Sequence, residues 1–255
     1  MPEPLLQTER LTRSFGSLTA VNAVDLAIRP GELRSIIGPN GAGKSTLFKL
    51  ISGELAPTSG RVRFGGEDIT GRPHFEISQR GIAKSYQITT IFPGLSVLEN
   101  VRLAAQCRRT VLDCWRRADR VPGVVERARE ILALVELDAK AAEPAATIGH
   151  GLQRHLEIAI ALACEPKLLL LDEPTAGMSP EETERTIALI RRIAADRTVV
   201  VVEHKMKVVM EISDRITVLH QGAILAEGTP AEIRSHADVQ AVYLGTRGRR
   251  PVAVG

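Results

Sequence analysis

GPNGAGKST, residues 38–46, is the stretch from which the rest of the chain can be read. It follows LRSIIG, a short apolar run with the character of a buried strand, and opens KSTLFKLISG, whose apolar residues recur at helical spacing. A glycine-rich turn between a strand and a helix, closed by Lys-Ser, has the form G-x-x-x-x-G-K-[ST] in the context that gives it meaning. Gly38, Gly41 and Gly43 let the backbone turn tightly, and Pro39, Asn40 and Ala42 complete the loop, so that successive N–H groups aim at phosphate oxygens. The helix N-terminus adds its partial positive charge. Lys44 is expected on the β- and γ-phosphates, Ser45 on Mg²⁺ through its hydroxyl, and Thr46 near the α-phosphate. The ligand implied is a nucleoside triphosphate with its Mg²⁺.

A second stretch supplies what a triphosphate needs to be cleaved. LLLLDE, residues 168–173, is four apolar residues of a buried strand ending in two acids. Asp172 at the strand end can reach Mg²⁺ through water. Glu173 can orient a water and accept its proton as it attacks the γ-phosphate.

Outward from these two motifs, strand-like and helix-like segments alternate. LLLLD, TVVVVE and ITVLH are short β-rich runs separated by polar helical stretches, which argues for an α/β protein with a mainly parallel sheet. Nearer the start, LLQTERLTRSF and VNAVDLAI alternate as antiparallel strands do, with GRVRFGGEDI a candidate addition. From Ser96 to Val135 the pattern turns helical, in VLENVRLAAQCRR and VVERAREILALVEL, broken only at Pro122-Gly123. The expected organisation is therefore a first core part with an antiparallel β subdomain over 1–91, a helical insertion over 92–165, a second core part over 166–245, and a disordered basic tail over 246–255.

Composition narrows the class. The chain has 255 residues, 44% hydrophobic and 25% charged, the profile of a globular protein. Aromatics are only 3%, so Leu, Ile, Val and Ala must build the core. A formal charge of +3 is small for this length and argues against a nucleic-acid partner. Cys107, Cys114 and Cys164 lack metal-ligand spacing and read as plain thiols. No apolar run approaches the roughly 20 residues a membrane span requires, and MPEPLLQTER lacks a signal peptide's segments. The expected location is cytoplasmic.

The motifs in their order resemble those of an ABC-transporter ATPase subunit: the phosphate loop, Gln87 in SYQ, GHGLQR, LLLLDEP, then His204 in VVVVEH. The resemblance covers nearly the whole chain. It implies a P-loop NTPase with a RecA-like core, an antiparallel β subdomain and an inserted α-helical subdomain. It implies that Phe15 in RSFG stacks on adenine and that Gln87 contacts Mg²⁺ and the attacking water. His204 is implied as the switch residue on the γ-phosphate. Residues 148–153, IGHGLQ, occupy the place of the family signature, which faces the γ-phosphate of ATP held by the other subunit. Gly149, His150 and Gly151 would then complete a nucleotide site on a partner chain, with Gly151 where backbone meets phosphate.

Two departures bear on activity. Gly149 stands where the family usually has Ser, so one hydroxyl donor is lost, and Leu152 replaces a common polar residue. A hydrogen bond to a charged group is worth roughly 1.5–3 kcal/mol, or about 10- to 150-fold in rate, unless His150 points inward and restores a donor. The expectation is a weaker signature half in an otherwise complete ATPase. Ser179 in TAGMSP replaces an Asp common in relatives, a mild change in the loop that crosses the dimer interface.

TAVNAVDLAIRPGEL, IFPGLSVLENV, RHLEIAIAL, EHKMKVVMEISDRITVLHQGAILAEGTPAEI and VQAVYLG resemble most the ATP-binding subunits of branched-chain amino acid importers and their urea or amide relatives. That resemblance implies a second ABC ATPase, permease subunits and, indirectly, a periplasmic solute-binding protein as partners. It places the chain peripherally on the cytoplasmic face of the inner membrane. IAKSYQITTIF departs from the commoner TFQ form of this permease-contacting loop, leaving the solute open. Lipid or lipopolysaccharide export and a non-transport ABC ATPase stand as alternatives.

Overall fold

The computed structural model describes residues 3–85, 91–106 and 123–248, the last five of them in backbone only. In chain order the strands are β1 (Leu6–Phe15), β2 (Leu18–Ile28), β3 (Leu33–Ile37), β4 (Ser59–Phe64), β5 (Glu67–Asp68), β6 (Ile82–Ser85), β7 (Leu168–Asp172), β8 (Thr198–Val202), β9 (Arg215–His220) and β10 (Ala223–Gly228). The helices are α1 (Lys44–Ile51), α2 (His74–Arg80), α3 (Val97–Gln106), α4 (Val124–Leu134), α5 (His150–Ala163), α6 (Pro180–Ala194), α7 (Met206–Ile212), α8 (Pro230–Ser235) and α9 (Ala237–Gly248). The chain divides into two compact units, 1–71 with 202–255, and 72–201.

In the first unit, β2, β1, β4 and β5 form an antiparallel sheet in that order. Its strands alternate buried and exposed positions, the period-2 pattern of a sheet with one covered face. β3 pairs in parallel with β9, from Arg34 opposite Arg215 to Ile37 opposite Val218, and β10 pairs antiparallel with β9. Every residue of β3 is buried, as a strand covered on both faces requires. A buried ionic cluster ties these three strands together. Arg34 pairs with Glu32 and Glu227, and donates to the Thr217 hydroxyl at 2.8 Å. Below it, Ile37, Val209, Ile216, Val218, Ile233 and Val239 make one apolar cluster that joins α7, α8 and α9 to the strands.

In the second unit, β7 lies between β8 and β6, and β6 runs parallel to it from Ile82 opposite Leu168 to Ser85 opposite Leu171. Leu168 to Leu171 are fully buried. α3, α4 and α5 pack on one another, burying Val97 and Val101 of α3, Ala128 and Leu132 of α4, and Leu156 of α5. The helical stretch read over 96–135 is thus present as α3 and α4, with residues 107–122 between them outside the described residues.

The sequence reading did not separate out three elements: α2, which ends at Gly81, the antiparallel edge strand β10, and the short α8. α9 continues through Gly248, so residues 246–248 of the expected tail are helical and 249–255 lie outside the described residues. Among the described residues no helix is long and apolar enough to cross a membrane.

Candidate functional site

The phosphate cradle is built in the first unit, where β3 ends and α1 begins. Gly43 caps α1 with φ of 99° and no side-chain cap, and the first turn holds no acid. The opening N–H groups of the helix therefore have no intrahelical acceptor and face outward as donors. Glycine is required at 43: a Cβ would lie in the left-handed region and 2.3 Å from the Ala20 carbonyl oxygen of β2. Gly38 is equally confined, with a Cβ meeting the Leu219 carbonyl at 2.3 Å. The loop is further tied by Gly222 N–H to the Ala42 carbonyl at 3.1 Å and by Asn22 N–H to the Gly222 carbonyl at 2.8 Å. Lys44 is 8% exposed, and its ammonium donates to the carbonyls of Gly38 at 2.8 Å and Pro39 at 3.0 Å. Asn40, Gly41 and Ser45 are exposed, and Thr46 is half-buried.

Two further expected residues sit in this unit. Phe15 ends β1 with 45% of its surface open, and the Arg13 guanidinium lies 4.7 Å from its ring centroid. An exposed aromatic backed by a cation is suited to stacking on a flat ring. His204 follows β8 with a side chain 54% exposed. Glu203, fully buried beside it, accepts from the N–H groups of His204 at 2.8 Å and Lys205 at 3.2 Å, with its carboxylate 3.8 Å from His204 Nδ1. Glu203 thus anchors the backbone at His204 and Lys205. It was not singled out from the sequence, although an acid closing the valine run TVVVVE was the available signal.

The second unit carries the acidic strand end and the helix tip. Asp172 is the last residue of β7 and 6% exposed. Glu173 follows with φ of 48°, a left-handed backbone that is uncommon for a side chain of its size and collects at functional sites. Ala176 N–H donates to its carbonyl at 3.1 Å, closing the turn. Gly149 caps α5 with no side-chain cap, and no acid lies in the first turn. The first N–H groups of this helix have no acceptor within it. Gly149 itself has nothing within 4 Å of where a Cβ would sit.

Gly151 and His150 both face the segment that follows β7. The Glu182 carboxylate of the same chain fills the space beside Gly151, its Oε1 2.5 Å from where a Cβ would sit. The His150 ring turns toward the loop after β7, its Nε2 3.4 Å from the Cβ position of Gly177. Ser179 caps α6 in a capping box: Glu182 N–H donates to Ser179 Oγ at 3.2 Å, and Ser179 N–H to Glu182 Oε2 at 2.9 Å. A serine serves this cap as an aspartate would. Gln87 lies outside the described residues, as do Cys107 and Cys114, whereas Cys164 is a half-buried free thiol. Among the described residues no three His, Cys, Asp or Glu gather as a metal cluster.

The sequence model of the ABC transporter family matches residues 21–176, well over half of the chain. The chain belongs to the ABC transporter family. A second model, that of the branched-chain amino acid ATP-binding cassette transporter, matches residues 223–248 of this ABC protein. Over 256 residues the chain is 41% identical to the high-affinity branched-chain amino acid transport ATP-binding protein BraF of Pseudomonas aeruginosa, covering 96% of this chain and 99% of that protein. The ADP conformation of MJ1267, an ATP-binding cassette of an ABC transporter, superposes with a TM-score of 0.85 at 30% identity, over 95% of this chain and 99% of that one. The cassette MJ0796, a dimer in a post-hydrolysis state with ADP and Pi, gives 0.75 at 28% identity, over 88% and 98%. The P-loop NTPase fold expected from the motifs is therefore the fold of this ABC cassette.

Proposed function

We propose that the chain is the ATP-binding and ATP-hydrolysing subunit of an ABC importer for branched-chain amino acids or a related small polar solute such as urea or an amide. The observation that carries this reading is the 41% identity to BraF across 96% of the chain, joined by the separate match of residues 223–248.

The proposed chemistry follows from the residues. The N–H groups of the loop and α1 bind the β- and γ-phosphates, and Lys44 exchanges its carbonyl partners for phosphate oxygens. Ser45 and Asp172, with Gln87, are hard oxygen ligands of the kind Mg²⁺ takes when it keeps several waters and binds phosphate. Mg²⁺ held by these residues would supply charge neutralisation at the phosphates. Glu173 orients water and takes its proton, His204, on backbone anchored by Glu203, contacts the γ-phosphate, and Phe15 stacks on adenine.

We further assign Gly149, His150 and Gly151 to the nucleotide of a partner ATPase. The uncapped tip of α5 and the dimeric state of MJ0796 support this. Residues 92–165 act in this reading as the signature subdomain between core parts 1–91 and 166–245. The complex comprises a second ABC ATPase, permeases and, at one remove, a periplasmic solute-binding protein, with this chain peripheral on the cytoplasmic face of the inner membrane. ATP bridging two chains draws them together, and loss of the γ-phosphate lets them part, a two-state element biased by ligand.

Deleting the chain's gene and measuring uptake of labelled leucine, isoleucine, valine, urea and short amides tests the assignment. Loss of one of these uptakes, restored by wild type and not by Glu173→Gln, is expected. Normal uptake of all of them contradicts it.

A further inference from the structure

β1 and β2 close on each other at their tip. Ser14 lies opposite Thr19 and Phe15 opposite Leu18, with the Ser14 and Thr19 hydroxyls 3.0 Å apart and Gly16 in the turn at φ of 57°. The same strand end is tied to the segment that follows α1. Thr58 N–H donates to the Thr12 carbonyl at 2.8 Å, Ser14 N–H to the Thr58 hydroxyl at 3.1 Å, and the Arg13 guanidinium to the Ala56 carbonyl at 2.8 Å. These bonds fix the backbone that carries Phe15. They do not fix its ring, which is 45% exposed, opposite a Leu18 that is 66% exposed. A phenylalanine has no hydroxyl with which to anchor the free end of its ring. Arg13 supplies a hold of another kind, since its Cζ lies over the ring, 4.7 Å from the centroid. Arg13 Nε is buried with no hydrogen-bond partner among the described residues. A buried guanidinium nitrogen without an acceptor is costly, and the negative face of the ring is what the cation meets instead.

We propose that Arg13 is a positioning residue of the base subsite: it holds the Phe15 ring in the pose on which the base stacks, without itself touching nucleotide. The inference rests on the assignment of Phe15 to adenine. With the guanidinium over one face, the ring offers its other face to a base. The Ala56 carbonyl fixes the guanidinium from its own side, so the cation stays over the ring. Rotation of the ring is restricted before nucleotide arrives, and less rotamer freedom is lost on binding. Arg13 therefore acts on the affinity for the base and not on the cleavage of the phosphate. Its loss raises KM and leaves kcat in place.

The test is ATPase kinetics of the assembled transporter complex for wild type, Arg13→Gln, Arg13→Lys, Phe15→Leu and the double variant Arg13→Gln with Phe15→Leu. Inorganic tripolyphosphate serves as a competitor that has no base. Arg13→Gln can still donate to the Ala56 carbonyl but carries no charge. It is expected to raise KM for ATP about 2- to 5-fold, the worth of an exposed cation over a ring, at unchanged kcat. Arg13→Lys keeps the cation and most of the wild-type affinity. Inhibition by tripolyphosphate stays within about twofold of wild type in every variant. In the Phe15→Leu background Arg13→Gln adds nothing further, because the two side chains act through one contact. Arg13→Leu repeats the measurement if Arg13→Gln does not assemble. An Arg13→Gln loss that multiplies with that of Phe15→Leu, or that weakens tripolyphosphate as much as ATP, overturns the proposal and leaves Phe15 on the base. So does an assembled Arg13→Gln complex with the wild-type KM. A Phe15→Leu complex with the wild-type KM overturns the reading of Phe15 as well.

Discussion

Lys44 is folded onto its own loop, with its ammonium donating to the carbonyl oxygen of Gly38 at 2.8 Å. The side chain is buried and preorganised at the place where β- and γ-phosphates are expected, so little rotamer entropy remains to be lost when phosphate replaces the carbonyls. Lys44→Ala removes a charge-assisted partner worth roughly 1.5–3 kcal/mol, and nucleotide affinity is expected to fall about 10- to 150-fold. Titration with a fluorescent ATP analogue reads this directly. Affinity within twofold of wild type would show that the backbone cradle alone holds the phosphates.

Glu173 is expected to separate binding from turnover. General-base catalysis contributes about 10²- to 10⁴-fold, so Glu173→Gln should lower the rate of phosphate release by that order while ATP binding persists. Gln keeps the shape and inherits the left-handed backbone at φ of 48°, so the melting temperature should hardly change. A variant that turns over at the wild-type rate would assign proton acceptance to another group.

At Gly149, open space and an ordinary φ of −59° leave room for a hydroxyl. Since His150 turns toward Gly177, no side chain on the described tip replaces the missing serine donor. Gly149→Ser is expected to raise ATPase activity of the assembled complex, by at most about 10- to 150-fold if the donor reaches the γ-phosphate. Phosphate release measured on both complexes decides it, and an unchanged rate removes the idea of a weakened signature half.

His155 gives the stability of the chain a pH signature. Burial lowers its pKa, the Val135 backbone and the nearby Glu136 and Glu182 favour the protonated form, and Arg185 opposes it. A histidine whose folded pKa is depressed stabilises the fold fully above its unfolded value of about 6.5 and loses that contribution as pH falls below it. Thermal unfolding of wild type should therefore show a drop in melting temperature between neutral pH and the region below 6.5. His155→Asn should lack that component. Identical pH profiles for the two proteins would place the acid sensitivity elsewhere.

Much of this was legible in the residues because chemistry and structure coincide at the motifs. In GPNGAGKST, Gly38 and Gly43 are also held by close backbone carbonyls, and the continuous apolar runs of β7 and β8 read as strands buried on both faces. Other contacts were not legible. Gly151 reads as a place for phosphate approach, and the sequence does not show that the Glu182 carboxylate, thirty-one residues away, fills the space beside it. Local patterns carry no record of which distant side chain fills a space. The capping box at Ser179 was legible in principle, as Ser-x-x-Glu before an apolar helical run, but the comparison with aspartate drew the reading away from it. Glu203 and His155 stand out only through burial, which a single sequence does not show.

The central claim is that one triphosphate is held by two chains. The most direct measurement is a cryo-EM structure of the full complex carrying Glu173→Gln, loaded with ATP and Mg²⁺. The account predicts the γ-phosphate between Lys44 of this chain and the signature helix tip of the partner ATPase, with the Gly149–Gly151 tip of this chain on the partner's nucleotide. Nucleotide enclosed by a single chain, with the α5 tip turned away from any phosphate, would contradict it.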